Sequence, residues 1–359
     1  MRAVVLTGHG DMDKLEFRAD WPVPKPGPGE VLIKVHACGL NNTDVNTRTG
    51  WYSKAVKQAT TGSGFDAIDE EDPSWGGAPI AFPRIQGADV AGTVAATGEG
   101  TDPSLVGKRV MVETWIRDVD DPLDMNKCRY LGSEMDGGFA EYLKVVERAV
   151  FPVETDLTDA ELATFATSWV TAENMLNRAE VAKGDTVLIP GASGGVGSAL
   201  IQLANRRGAT TVAMAGKAKQ DAVAALGPNA VLDRAPPDLK SKLSEAIGQD
   251  SVTVVADVVG GDYFATLIET LARGGRYTCS GAIAGPIVDL DLRTLYLNDL
   301  TFTGATVVPP GTFGDLVGYI ERGEVKPVLA QTYPLERLHD AQTAFIDKNH
   351  IGNIVVTMS

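Results

Sequence analysis

The stretch from Asp185 to Gly208, DTVLIPGASGGVGSALIQLANRRG, decides how this chain folds. DTVLIP is an apolar run of strand length, and VGSALIQLANRRG reads as a helix. Between them lies Gly191-Ala192-Ser193-Gly194-Gly195-Val196-Gly197. Gly191 permits a tight turn, Gly194 lets the backbone approach a diphosphate, and Gly197 lets the helix pack closely on its strand. The helix N-terminus adds free N–H groups and a partial positive charge. A lone glycine pattern is weak, but one set between a strand and a helix is specific for a dinucleotide. Gly191, Ser193, Gly194, Gly195, Val196 and Gly197 are therefore the candidate cofactor loop.

Strand and helix patterns alternate downstream of the loop. Strand-like runs occur at Thr210–Ala215, Val231–Asp233, Val252–Val259, Arg276–Ser280 and Leu300–Thr306. Helical ones occur at Gln220–Leu226, Tyr263–Ala272 and Phe313–Arg322. This alternation predicts a doubly wound parallel sheet of Rossmann type over residues 153–330. An NAD site of this type places Asp or Glu about 20 residues after the glycines. Here the second strand ends in Ala215-Gly216-Lys217-Ala218-Lys219, without a carboxylate. Gly216, Lys217 and Arg234 suit a ribose 2′-phosphate, which points to NADP(H). The plainer reading of these cations is solvated surface charge.

Residues 1–150 have a different rhythm, of short strand-like runs with Pro and Gly at the bends, as in PKPGPGEVLIKVHACGL and GADVAGTVAATGEG. They predict a compact, barrel-like β domain. Residues 333–359 return to short β-like pieces ending in NIVVTM. Between Tyr52 and Pro83 runs a long acidic, Gly/Ser-rich insertion (53–82), which is either a functional lid or a surface insertion.

Composition narrows the partners. A net charge of −15 disfavours nucleic acid and anionic membranes, both of which need clustered Lys and Arg. Three distant cysteines, Cys38, Cys128 and Cys279, give neither a disulfide framework nor a thiolate metal pair. No apolar leader or stretch of spanning length is present, so the expected location is cytoplasmic.

PKPGPGEVLIKVHACGLNNTD, GGFAEY, GASGGVG and the closing IGNIVV together resemble the medium-chain dehydrogenase/reductase superfamily over nearly the whole chain. The resemblance implies a GroES-like catalytic domain from 1–152 and 331–359, with the Rossmann domain (153–330) inserted. It also implies a homodimer acting on a small-molecule substrate. The zinc alcohol dehydrogenases of this superfamily differ at every metal position. Asn41 stands at the first cysteine ligand, Gly87-Ala88-Asp89 replaces Gly-His-Glu, and ATSWVT lacks the third ligand. Catalytic zinc needs three protein ligands and an open position, so no metal is expected. The stretch 118–138, where the family's structural zinc lobe would lie, retains only Cys128.

The loop resembles instead the quinone oxidoreductases and enoyl-thioester reductases, whose Asn-x-x-Asp and Gly-x-Tyr patterns match GLNNTD and TGWY. That resemblance carries the proton-donor role to Tyr52, and places Asn42 and Asp44 in the same loop. Which asparagine matches depends on a one-residue choice of alignment. An aromatic anchor beside Trp51 is the alternative for Tyr52. Asn353, in IGNIVV, is a candidate for facing the nicotinamide. His36, in IKVHACG, reads as structural. The expected activity is NADPH-dependent reduction of a quinone or an α,β-unsaturated carbonyl. The alternatives are a zinc-independent alcohol or carbonyl dehydrogenase and a low-turnover NADPH-binding protein.

Overall fold

The computed structural model describes residues 1–60 and 79–358, so most of the 53–82 insertion lies outside the described residues. It divides into two compact units. The first comprises Met1–Val56, Thr61–Thr167 and Phe313–Ser359; the second comprises Lys57–Thr60 and Ser168–Thr312.

The first unit is built on a mostly antiparallel sheet. Its strands run Val150–Pro152, Arg109–Val112, Asp89–Thr97, Glu30–Gly39, Asn353–Thr357 and Leu329–Pro334, with Tyr142–Val146 also pairing to Glu30–Gly39. In EVLIKVHACG, Val31, Ile33, Val35 and Ala37 are buried, the period-2 pattern of a strand with one face on the core. The last strand of the chain, Asn353–Thr357, pairs antiparallel with Glu30–Gly39.

Two helices here were expected as β-like or loop sequence. Asn42–Thr49 (NTDVNTRT) has no apolar stripe, so periodicity does not reveal it. Its start is fixed by Asp44, which accepts the Asn41 N–H at 2.8 Å, and its end by Gly50 at φ +71°. The second is Leu338–Ile346, in which Leu338, Ala341, Gln342 and Phe345 face the core at helical spacing.

The second unit is a six-stranded, wholly parallel sheet, as the strand–helix alternation predicts. Its order is Ala230–Asp233, Thr210–Ala215, Thr186–Ile189, Val252–Asp257, Leu271–Cys279 and Thr301–Gly304. The order reverses between Thr186–Ile189 and Val252–Asp257, where ligands of open α/β sheets bind beyond the strands' carboxyl ends. Leu188, Val212, Met214, Val255, Leu243, Phe264 and Leu267 form a core on one face of the sheet. Leu243 belongs to a helix, Leu239–Ile247, absent from the sequence reading. Asp238 caps it by accepting the Ser241 N–H at 3.0 Å, and Gly248 ends it at φ +75°.

Candidate functional site

Within the second unit the glycine loop follows Thr186–Ile189 and opens the helix Gly195–Arg206. Two of its glycines are required by the chain itself. Gly191 sits at φ +65°, and a Cβ there would come 2.9 Å from Val259. A Cβ on Gly197 would lie 2.4 Å from the Gly191 carbonyl and 2.6 Å from the Ala192 Cα, so helix and loop touch backbone to backbone. Gly194 is different. A Cβ there meets only the Gly191 carbonyl, at an ordinary 3.6 Å. Internal packing does not demand glycine at 194. Ser193, Gly194, Gly195 and Val196 are half-exposed.

Beside the loop, the buried Asp257 accepts N–H bonds from Val259 (2.7 Å) and Gly260 (3.2 Å) and the Tyr277 hydroxyl (2.8 Å). These bonds shape the turn across the switch point. Burial raises the Asp257 pKa against them. At the adenosine end, Ala215 is in register with Asp233, so Lys217 and Arg234 leave neighbouring strands at the same edge, both exposed. The Asp233 carboxylate already accepts the Gln220 amide at 3.0 Å.

The candidate catalytic residues lie in the first unit, around the helix Asn42–Thr49. Asp44 is buried. Its two carboxylate oxygens accept the N–H groups of Asn41 (2.8 Å) and Gly87 (3.1 Å), and the Gln86 amide donates to its carbonyl at 2.9 Å. Asp44 therefore fastens the 41–44 turn to the 86–89 turn. Burial pushes its pKa up to about 7, opposed by the Asn41 N–H bond and reinforced by Asp89.

Tyr52 follows the helix, its ring edge-on to Trp51 with centroids 5.7 Å apart. Burial of its hydroxyl end drives the pKa well above the ordinary tyrosine value. The Asn46 amide hydrogen-bonds that hydroxyl and opposes the shift, and the carboxylates of Asp44 and Glu134 add to it. Glu134 itself accepts the Tyr130 N–H at 2.9 Å. Asn42 faces elsewhere, accepting Lys348 Nζ at 2.8 Å, while that ammonium also lies 3.7 Å above the Phe345 ring. Asn41, not Asn42, is the asparagine directed inward, against Asp89. Asn353 begins its strand, buried, with its N–H on the Val328 carbonyl at 2.8 Å.

Asp89 is fully buried, and Thr167 donates to its Oδ1 through both the backbone N–H, at 2.8 Å, and the hydroxyl. Burial lifts the Asp89 pKa to about 6 against these bonds and the Asn41 contact. Cys38 lies close by, packed so tightly that a Cβ on Gly87 would come within 2.7 Å of its sulfur. Its pKa is raised by burial, with Asp44 and Asp89 adding to the shift, so the thiol stays protonated.

A catalytic zinc does not fit this donor set. It offers an amide from Asn41, a side chain without donors at Ala88, and one carboxylate already bonded to Thr167. Among the described residues no group of three His, Cys, Asp or Glu side chains is placed to hold an ion. His36 has a structural setting, its Nδ1 2.9 Å from Asp159, which also receives Arg109 Nε at 2.7 Å.

Residues 27–155 match the family model of the alcohol dehydrogenase GroES-like domain, and residues 195–322 that of the zinc-binding dehydrogenases. A solved structure described as a putative alcohol dehydrogenase from Sinorhizobium meliloti 1021 is 46% identical. It superposes with a TM-score of 0.90 over 99% of this chain and 96% of that one. The chain belongs to the medium-chain dehydrogenase/reductase superfamily. This superfamily member is also 27% identical to the quinone oxidoreductase of Rattus norvegicus, over 100% of this chain and 98% of that protein. It is 25% identical to crotonyl-CoA carboxylase/reductase AntE, solved with NADP, at a TM-score of 0.82, covering 99% of this chain and 94% of that one. The fold is thus a GroES-like unit with a Rossmann unit. The chemistry of the superfamily is nicotinamide-dependent oxidoreduction.

Proposed function

We propose that this chain is an NADPH-dependent, zinc-independent reductase of quinones or α,β-unsaturated carbonyl compounds, enones or enoyl-thioesters. The observation that carries this reading is the buried hydroxyl of Tyr52, hydrogen-bonded by the Asn46 amide and facing Asp44, with no group of three His, Cys, Asp or Glu side chains placed to hold an ion among the described residues. A bound reduced nicotinamide supplies hydride, and a conjugated C=C accepts it at the β carbon, leaving an enolate. That anion requires a hydrogen-bond donor, not a metal, and a neutral tyrosine provides one. Asp44 holds the loop that presents Tyr52, and Asn46 orients its hydroxyl. Asn42 acts through Lys348 to hold the same loop.

The cofactor is held at Gly191, Ser193, Gly194, Gly195, Val196 and Gly197. Gly216, Lys217 and Arg234 receive the 2′-phosphate, and Asn353 faces the nicotinamide. The exposed cations at the end of a strand without a carboxylate support NADP over NAD.

The test is NADPH oxidation against quinones, enones, enoyl-thioesters and aldehydes, with NADH and a chelator in parallel. Turnover of an enone or quinone, indifferent to chelator and faster with NADPH, is expected. Activity confined to alcohols or aldehydes and lost with chelator overturns the reading. The 46% identity to a putative alcohol dehydrogenase favours, as a second reading, a metal-independent alcohol or carbonyl dehydrogenase. Alcohol oxidation that survives chelator marks that case.

The working form is a homodimer. Among the described residues the strand Thr301–Gly304 is the last of the six-stranded sheet, and Leu292, Tyr296 and Leu297, just before it in sequence, are exposed apolar side chains. Sedimentation velocity of wild type and Tyr296→Glu measures it. A monomeric wild type excludes it. Among the described residues no helix is long and apolar enough to cross a membrane, and the expected location is the cytoplasm.

A further inference from the structure

The helix Asn42–Thr49 buries Asp44, Val45, Asn46, Thr47, Arg48 and Thr49, and only Val45 among them is apolar. Apolar packing therefore does little to place this helix, and hydrogen bonds must do so instead. Asp44 serves its first turn. The last turn, which leads directly into Trp51 and Tyr52, carries Arg48, a charged group that the hydride-transfer reading leaves without a task.

Arg48 is completely buried. Its Nε donates to Gln342 Oε1 at 3.1 Å, and its Nη1 donates to the Gly10 carbonyl at 2.8 Å. The Gly10 N–H returns to the Arg48 carbonyl, also at 2.8 Å. This reciprocal pair ties the helix end to the tip of the hairpin formed by Ala3–Leu6 and Leu15–Arg18. Beside it, His9 donates through Nδ1 to the Thr47 carbonyl at 2.9 Å, its ring edge-on to Phe82 at 5.0 Å. Gln342 belongs to the helix Leu338–Ile346, so one guanidinium joins three segments far apart in sequence. Gln342 is fully buried too, and its Nε2 has no partner among the described residues, which leaves Arg48 as the group its amide answers. Burial lowers the Arg48 pKa, and the carboxylates of Asp11 and Asp13 on the hairpin tip oppose the shift. A guanidinium keeps its proton in either setting. Its planar fork of donors fixes direction as well as distance, which neither a lysine nor an apolar side chain does.

From Arg48 the geometry reaches Tyr52 through short local bonds. Gly50 turns the chain in the left-handed region, the Trp51 N–H bonds the Asn46 carbonyl at 2.9 Å, and the Asn46 amide bonds the Tyr52 hydroxyl. Tyr52 therefore goes where the last turn of the helix goes. We propose that Arg48 is a positioning residue for hydride transfer, setting the Tyr52 phenol by pinning the helix end to the 9–13 turn and to Gln342. The inference rests on the reading of Tyr52 as the donor to the developing enolate.

The experiment is a double-mutant cycle on the full chain, with the best acceptor of the panel. Arg48→Met is expected to lower kcat about a hundredfold, the scale of a misplacement by about 1 Å, with KM values nearly constant. Arg48→Lys, which retains a donor toward Gly10, should recover part of the loss. In the Tyr52→Phe background Arg48→Met should cause no further fall, because Arg48 acts through the hydroxyl already removed. A fully additive loss, or wild-type kcat in folded Arg48→Met, overturns the proposal and leaves the reductase reading intact. Should Arg48→Met not fold, Gln342→Leu takes its place, with a fall of about tenfold, the value of one charge-assisted bond, and the same non-additivity. If wild type turns over no acceptor, or Tyr52→Phe keeps wild-type kcat, the reductase reading fails at Tyr52. The positioning is then judged by NMR of protein labelled at the tyrosine Cζ, with the Tyr52 resonance assigned by its loss in Tyr52→Phe. A resonance that shifts or broadens in Arg48→Lys and Gln342→Leu supports the positioning. One unchanged in both overturns it.

Discussion

The glycine loop of the second unit and the polar cluster of the first are made by opposite means. The loop is seven consecutive residues whose conformation follows from their own backbone, with Gly191 at φ +65° and Gly197 in backbone contact with Ala192. The cluster is assembled from Asn41, Asp89, Tyr130 and Thr167, and no two of them are adjacent in sequence. A site built from local backbone tolerates change around it. One built from long-range hydrogen bonds depends on every element that delivers a partner.

The largest expected effect tests the loop's internal division of labour. Gly197→Ala forces a Cβ against backbone atoms that cannot yield and should cost more than about 3 kcal/mol of stability, read as a lowered denaturant midpoint. Gly194→Ala should leave the midpoint within about 0.5 kcal/mol. It should weaken dinucleotide binding in a fluorescence titration. Equal stability losses at the two positions would erase the distinction between a glycine needed by the chain and one needed by a ligand.

The next effect probes the loop after the Asn42–Thr49 helix. Tyr52→Phe should reduce kcat by roughly a hundredfold with KM nearly constant, since it removes the hydrogen-bond donor proposed to act in the transition state. An unchanged kcat leaves Tyr52 as an anchor for Trp51. A smaller effect separates the two ends of the cofactor. Lys217→Ala should raise the KM for NADPH by about tenfold, the value of one lost charge-assisted bond, with Arg234→Ala added raising it further, and leave that for NADH unaltered. Equal shifts for both cofactors would return these cations to the solvated surface.

The smallest effect concerns the cluster's carboxyl groups. Asp44 and Asp89 have folded pKa values of about 7 and about 6, above the ordinary 3.8. The folded state therefore binds more protons than the unfolded state between about pH 4 and 7, and stability should fall as pH rises through that window. Asp89→Asn should flatten the slope. A melting temperature that rises across the same window would contradict the burial of these carboxyls in uncharged surroundings.

Legibility followed the range of the interactions. All six strands of the parallel sheet overlap runs that read as strand-like in the sequence, and the loop after the first of the β–α repeats carried its glycines in order. The helix Leu239–Ile247 was missed because LKSKLSEAI buries only Leu239 and Leu243; caps, not a broad apolar stripe, define it. NTDVNTRT gave no helical signal, since it is polar and buried by its surroundings. Helix Thr312–Glu321 reads as part of the nucleotide half, yet all but its first residue groups with the first unit, where Phe313 meets Phe151 at 5.0 Å. At the candidate catalytic loop, Tyr52 and Asp44 were singled out by resemblance. Asn46, Tyr130, Glu134 and the inward role of Asn41 were not, because nothing local marks a tyrosine on a two-residue strand as the partner of a threonine 37 positions on.

The sequence by itself determined the alternation of strands and helices, the glycine loop with its setting, and the absence of the zinc ligands from their usual positions. The first two are properties of neighbouring residues, for which steric limits and periodicity suffice; the third follows from the resemblance to the zinc alcohol dehydrogenases. Only the tertiary structure decided which asparagine turns inward, what Asp44 fastens, and that Asp89, Thr167 and Tyr130 share one series of hydrogen bonds. Burial made those choices, because a polar group removed from water must find its partner wherever the fold brings one within about 3 Å.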